Sequence, residues 1–135
     1  MLNRVFGALL LTMAAALTGC GSSSSSTSPL APFQPQIANL QDSFQFQATG
    51  VTSVTWTFTY TWPNSGTAAS LNQSTTIAAG TATVTVLDAN GTQVYTNSLS
   101  ANGTFATSTG VAGNWTIRVV FTNYSGTPNF RAQKA

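Results

Sequence analysis

Ser53-Val54-Thr55-Trp56-Thr57-Phe58-Thr59-Tyr60-Thr61-Trp62 is a run of ten residues in which apolar and hydroxyl side chains alternate without exception. A helix would scatter these aromatics around its axis. A strand instead puts Val54, Trp56, Phe58, Tyr60 and Trp62 on one face and the Ser and Thr residues on the other. One face is expected to be core and the other wet, which is the signature of a strand in a two-layer β fold.

The same period recurs on both sides of this run. Phe44, Phe46 and Ala48 alternate with Gln45 and Gln47, starting from a change of period near Ile37. Ala82, Val84 and Val86 alternate with Thr81, Thr83 and Thr85, and Trp115, Ile117, Val119 and Phe121 with Thr116, Arg118, Val120 and Thr122. Weaker strands are expected at 67–77, marked by Leu71 and Ile77 and placed at an edge, at 92–99, around Phe105, and around Phe130 and Ala132. Turn chemistry separates them: Pro63-Asn64-Ser65-Gly66, Asp88-Ala89-Asn90-Gly91, Ala101-Asn102-Gly103 and Tyr124-Ser125-Gly126-Thr127-Pro128. Asp88 and Gly91 suit a type I turn with a left-handed glycine, so 81–87 and 92–99 read as a hairpin. About eight short strands with no helical period predict an all-β chain, a single antiparallel β-sandwich.

Composition agrees. Only 4% of the 135 residues are charged, while aromatics reach 10%. Thr is at home on a half-buried pleated surface, and the helix-forming Lys and Glu are almost absent. Asp42, Asp88, Arg118, Arg131 and Lys134 nearly cancel, so the formal +2 reflects no basic cluster and no nucleic-acid partner is expected.

The N-terminus is different in kind. Met1 to Arg4 form a short basic region, and Val5 to Leu17 an apolar run of thirteen residues. That length suits a secretory leader and is short of the ~20 residues a spanning helix needs. Leu17-Thr18-Gly19-Cys20 then resembles the lipobox of bacterial lipoproteins, and Cys20 is the single cysteine in the chain. The resemblance implies a diacylglyceryl group on the Cys20 sulfur, cleavage between Gly19 and Cys20, and acylation of the new amine. Two or three acyl chains hold a protein durably at a bilayer, where one holds it marginally. Gly21 stands where an acidic residue would signal inner-membrane retention, so the resemblance implies the outer membrane in a diderm bacterium. Ser22 to Ser28 and the prolines at 29, 32 and 35 read as a flexible, then extended, spacer. The expected organisation is a signal peptide over 1–19, a lipidated linker over 20–36 and the sandwich over 37–135.

A second resemblance is carried by Gly113-Asn114-Trp115-Thr116-Ile117-Arg118-Val119 with Gly126 and Phe130. These residues look like the closing hairpin of jelly-roll sandwiches of the pre-peptidase C-terminal type, which implies a jelly-roll-like secreted module. The clustered aspartates that some of those modules use for metal are missing from this sequence.

The chemistry on offer is sparse. The chain has no histidine, and Asp42 and Asp88 are its only acids. No Ser-His-Asp set and no His/Cys metal set can be built, so no enzyme, cofactor or metal is expected. Asp88 to Gly91 could be a fragment of a calcium loop, but one carboxylate falls short of the six to eight oxygens calcium takes, and a hairpin turn accounts for it. The threonine rows at 55–61 and 81–85 are solvated strand faces, since sandwich sheets twist too much for a flat ice-binding surface. The Asn-x-Ser/Thr triplets follow from abundant Ser and Thr. Trp56, Phe58 and Trp115 are expected in the core. Trp62 abuts Pro63 at a strand end, where an aromatic can protrude, and is the candidate ligand contact, a platform for a sugar ring if it does not join the core. The expected function is a non-enzymatic cell-envelope lipoprotein, bound to the membrane through Cys20 and presenting a β-sandwich as an interaction or structural module. The alternatives are a carbohydrate-binding module and an accessory subunit of a surface protein assembly.

Overall fold

The computed structural model describes residues 27–135, and these form a two-sheet antiparallel sandwich. Nine strands are present: β1 (Gln36–Leu40), β2 (Ser43–Gln47), β3 (Val51–Asn64), β4 (Ala69–Gln73), β5 (Thr76–Leu87), β6 (Gln93–Ser98), β7 (Gly103–Ala106), β8 (Gly113–Thr127) and β9 (Asn129–Lys134). One sheet runs β1-β2-β9-β4-β7 and the other β3-β8-β5-β6. The all-β reading therefore holds. The strand additional to the expected set is β1, whose five residues are all exposed and carry no alternation to betray it.

The two sheets close on the side chains that alternation assigned inward. Ala82, Val84 and Val86 on β5 and Trp115, Ile117 and Val119 on β8 are fully buried. They meet Phe44, Phe46, Phe130 and Ala132 of the facing sheet, equally buried. Phe46 and Phe130 stack at 5.4 Å, and Phe46 meets Phe121 edge-on at 6.1 Å. Such aromatic pairs add to the area term that drives the closure. The hairpin at 88–91 joins β5 to β6 as expected, with Val86 opposite Tyr95.

Four sequence expectations change. The strand within 67–77 is no edge: β4 lies between β9 and β7, because Leu71 and Ala69 are buried and need cover on both flanks. The last two strands are not a hairpin, since β8 belongs to one sheet and β9 to the other. The folded part begins before residue 37, within the stretch expected to be linker. Leu30 is buried in the core, a 3-10 turn spans Ala31–Phe33, and the Phe33 carbonyl accepts from the Thr49 amide at 3.0 Å. Two apolar side chains so close to the sandwich gain more by burial than an extended spacer offers them. Fourth, Trp56 is 49% exposed. It shares the inner side of β3 with Phe58, but β3 is the outermost strand of its sheet, so an inner-side residue there has neighbours on one flank only.

The long strands of the second sheet bend at one level. Ser53 on β3, Asn123 on β8 and Gly80 on β5 all have positive φ, and the register shifts beside each of them. A bulge adds local twist, and three in a row turn the ends of β3, β8 and β5 so that Val51, Val54 and Tyr124 are buried. The Tyr124 hydroxyl donates to the Thr76 carbonyl at 2.8 Å, and burial pushes its phenol up to about 12.

Every buried side-chain nitrogen and oxygen among the described residues has a hydrogen-bond partner. Gln73 shows how: its amide nitrogen donates to the Ser98 and Ala101 carbonyls, and its oxygen accepts from the Tyr95 hydroxyl. One side chain thereby fixes the β6–β7 connection against β4.

Candidate functional site

The chain enters the fold at one pole, where Leu30 and Phe33 lie by Thr49, and the strands run from there to the opposite pole. At that far pole the turn after β1, the end of β3 and the start of β8 converge. Gln41, Pro63, Asn64, Ser65, Ala112, Gly113 and Asn114 line an open groove of about 430 Å³. The turn Pro63-Asn64-Ser65-Gly66 shapes one wall through the Asn64 side chain, whose oxygen accepts from the Gly66 amide at 2.9 Å. Gln41 and Asn114 are exposed amides on the facing walls.

The rim is fixed by charge. Ser65 donates its amide to Asp42 Oδ1 at 2.7 Å and its hydroxyl to Oδ2 at 2.8 Å, and Lys134 Nζ lies 3.1 Å from Oδ2. The Ser65 amide above all, with the Ser65 hydroxyl and Lys134, holds the Asp42 carboxyl below the usual carboxylate range. A carboxylate so engaged is a strut for the groove wall and has no proton to give at neutral pH.

Beneath the groove stand the two indoles that sequence reasoning treated differently. Trp62 and Trp115 are both fully buried and meet edge-to-face at 5.9 Å. Trp62 Nε1 donates to the Leu40 carbonyl at 3.1 Å, and Trp115 Nε1 to the Val111 carbonyl at 2.7 Å. The candidate Trp62 contact is thus corrected: its ring offers no open face to a sugar because β1 and β8 cover it. The groove is walled instead by the residues that follow Trp62. No residue type in 63–65 or 112–114 marks that groove in the sequence, since it exists only where the loops meet.

Asp88 is part of the same pole and is buried. Its Oδ1 accepts from the Asn90 and Thr92 amides and its Oδ2 from the Val111 amide, each at 2.9 Å. Those three donors spend the carboxylate on the backbone and bind the β5–β6 turn to the 110–113 loop. The Val111 amide first, then those of Thr92 and Asn90, lowers its pKa below the ordinary 3.8. Stability from a depressed carboxylate is present above the unfolded value and is lost as pH falls through the folded one. Acid unfolding is therefore expected to set in as pH drops below about 3.8, and Asp88→Asn should lower stability at neutral pH and make the acid limb shallower. Urea midpoints measured across the acid range check this; equal midpoints for both proteins at neutral pH would contradict it.

The remaining sequence-derived site residues, Gly19 and Cys20, lie outside the described residues. Among the described residues no helix is long and apolar enough to cross a membrane, and no group of three or more His, Cys, Asp or Glu is placed to hold a metal. No family model, curated protein or solved structure matches the chain.

Proposed function

We propose that the chain is a non-enzymatic lipoprotein of a bacterial cell envelope, anchored through lipidated Cys20 and presenting its β-sandwich as an interaction or structural module. The observation that supports this reading most is the polarity of the domain. Its N-terminal entry at Leu30 and its groove at Gln41, Asn64 and Asn114 occupy opposite poles, so a tether at the N-terminus presents the groove away from the membrane. Nine residues lie between Cys20 and Leu30, ten residue steps that reach at most about 35 Å when fully extended. The sandwich would stand close to the bilayer with little slack.

The test is fractionation of cells producing the wild type and Cys20→Ser. The wild type is expected in the membrane fraction and the variant in the soluble fraction, because loss of two or three acyl chains removes the anchor. Retention of Cys20→Ser in the membrane at the wild-type level would refute the lipid anchor.

A further inference from the structure

A sandwich has four outer strands, here β1 and β7 in one sheet and β3 and β6 in the other. Unpaired backbone on such a strand is a template for another chain, and proteins guard it with charges, prolines, bulges or a covering loop. β7 has only four residues. On β6 the Val94 carbonyl already accepts from the Ser108 amide and hydroxyl. β1 has five residues, and β3 is much the longest of the four, with fourteen.

Its guards sit at its two ends. The bulge at Ser53 closes one end, and at the other Asn39 Nδ2 donates to the Thr61 carbonyl and the Asp42 amide to the Pro63 carbonyl, each at 2.8 Å. Those two carbonyls point away from β8. The β3–β8 register is unbroken from Trp56 to Asn64, so by alternation the N–H and C=O groups of Thr57 and Thr59 point the same way. Among the described residues no backbone group bonds to them.

One side of this gap carries the exposed hydroxyls of Thr57 and Thr59 with Arg118 of β8 beside Thr59, and the other side is apolar. Ile37, Leu40 and Trp56, three of the four large hydrophobic residues exposed among the described residues, belong to β1 and β3. Neither strand contains a charged residue. The edge strand itself therefore carries no charge to repel a copy of itself, and the nearest cation, Arg118, is set back by one strand.

We propose that the free edge of β3 pairs antiparallel with β3 of a second copy of this chain, about a twofold axis at Phe58. That axis sets Thr57 against Thr59 of the second copy and Thr59 against its Thr57, so each pair exchanges two backbone hydrogen bonds. Trp56 falls opposite Tyr60 of the second copy, which covers the exposed indole. Thr–Thr and aromatic cross-strand pairs are both favourable, and an isologous contact of this kind closes as a dimer. The inference goes beyond the proposed function and does not depend on lipidation, and its test reads association where the fractionation reads anchoring.

The full chain, extracted in detergent with micelles in excess over protein, is expected to sediment at about twice its protomer mass and to dissociate on roughly hundredfold dilution. Over the same range the Thr57 and Thr59 amides should exchange hydrogen at least about tenfold faster as the dimer dissociates. Thr59→Pro removes an N–H that the protomer leaves unpaired, a position where an outer strand tolerates proline, and is expected to abolish the dimer. Should circular dichroism show Thr59→Pro misfolded, Trp56→Lys decides the matter at an exposed site and is expected to weaken association at least about tenfold, as a charge desolvated against Tyr60 demands. A wild type of single-copy mass at every concentration overturns the proposal and leaves the edge to another chain or to a glycan at Trp56. So does a dimer that survives both substitutions, or one whose Thr57 and Thr59 amides exchange as fast as in the protomer.

Discussion

Trp62→Ala is expected to destabilise the domain by about 3–5 kcal/mol, the range for emptying a fully buried tryptophan site. The indole has no exposed surface, packs edge-on against Trp115 at 5.9 Å and donates to the Leu40 carbonyl. Removing it opens a cavity under the far pole, strips Trp115 of its partner and releases the end of β1. In a domain of this size, each kcal/mol moves Tm by about 4–8 °C, so a fall well above 10 °C is expected. Trp56→Ala is the fitting comparison, because its side chain is half-exposed and leaves no enclosed cavity, so it should cost markedly less. Denaturant midpoints of the two variants check the assignment, and equal midpoints would show that the two tryptophans do not divide into core and surface.

Gly126→Ala should cost about 2–4 kcal/mol through backbone strain and overpacking together. Its φ of +149° lies in the region L side chains avoid, and a Cβ there would run into the Thr76 carbonyl and come within 2.9 Å of the Tyr124 hydroxyl. Those two atoms are hydrogen-bonded partners, so the added methyl wedges them apart. Gly91 also has a positive φ, +80°, but a Cβ there meets nothing within 4 Å. Gly91→Ala therefore keeps only the backbone penalty and should cost markedly less. Alkaline titration gives a second readout. A phenol raised to about 12 favours the fold below pH 10 and loses that contribution as pH climbs through the folded value. Loosening the Tyr124 site should bring its ionisation down toward 10 and make the alkaline limb of unfolding shallower. Wild-type Tm together with an unchanged phenol titration would contradict the clash.

Alternation made the middle of the fold legible. On β5 and β8 the apolar members of the pattern are the buried ones, because both strands lie inside their sheet and have cover on either flank. On β3 the same pattern gave the right side of the strand and the wrong cover. Period two says which way a side chain points; whether another strand stands over it is a matter of sheet order, which no local pattern carries. Hence Trp56, expected in the core, is open, and Trp62, the candidate ligand contact, is enclosed. Leu30 and β1 were missed for a related reason, since both are placed by contacts with strands later in the chain. Asp88 could be read as a turn residue from its neighbours, but its bond to Val111, 23 residues on, could not. The groove belongs to the same class, built from three loops far apart in sequence.

The placement of the chain's entry also sets how the domain bears load. β1 leaves the entry pole at Gln36 and reaches the groove pole at Leu40, in register with β2 along all five of its residues. Tension between the N-terminal side and anything gripping the far pole acts parallel to the strands, so the β1–β2 hydrogen bonds would be sheared together instead of being unzipped one after another. The Leu30 and Phe33 contacts precede them in the line of force and must give way first. Pulled from its N-terminal side, the sandwich would be loaded lengthwise, in the orientation in which a β-sheet resists pulling best.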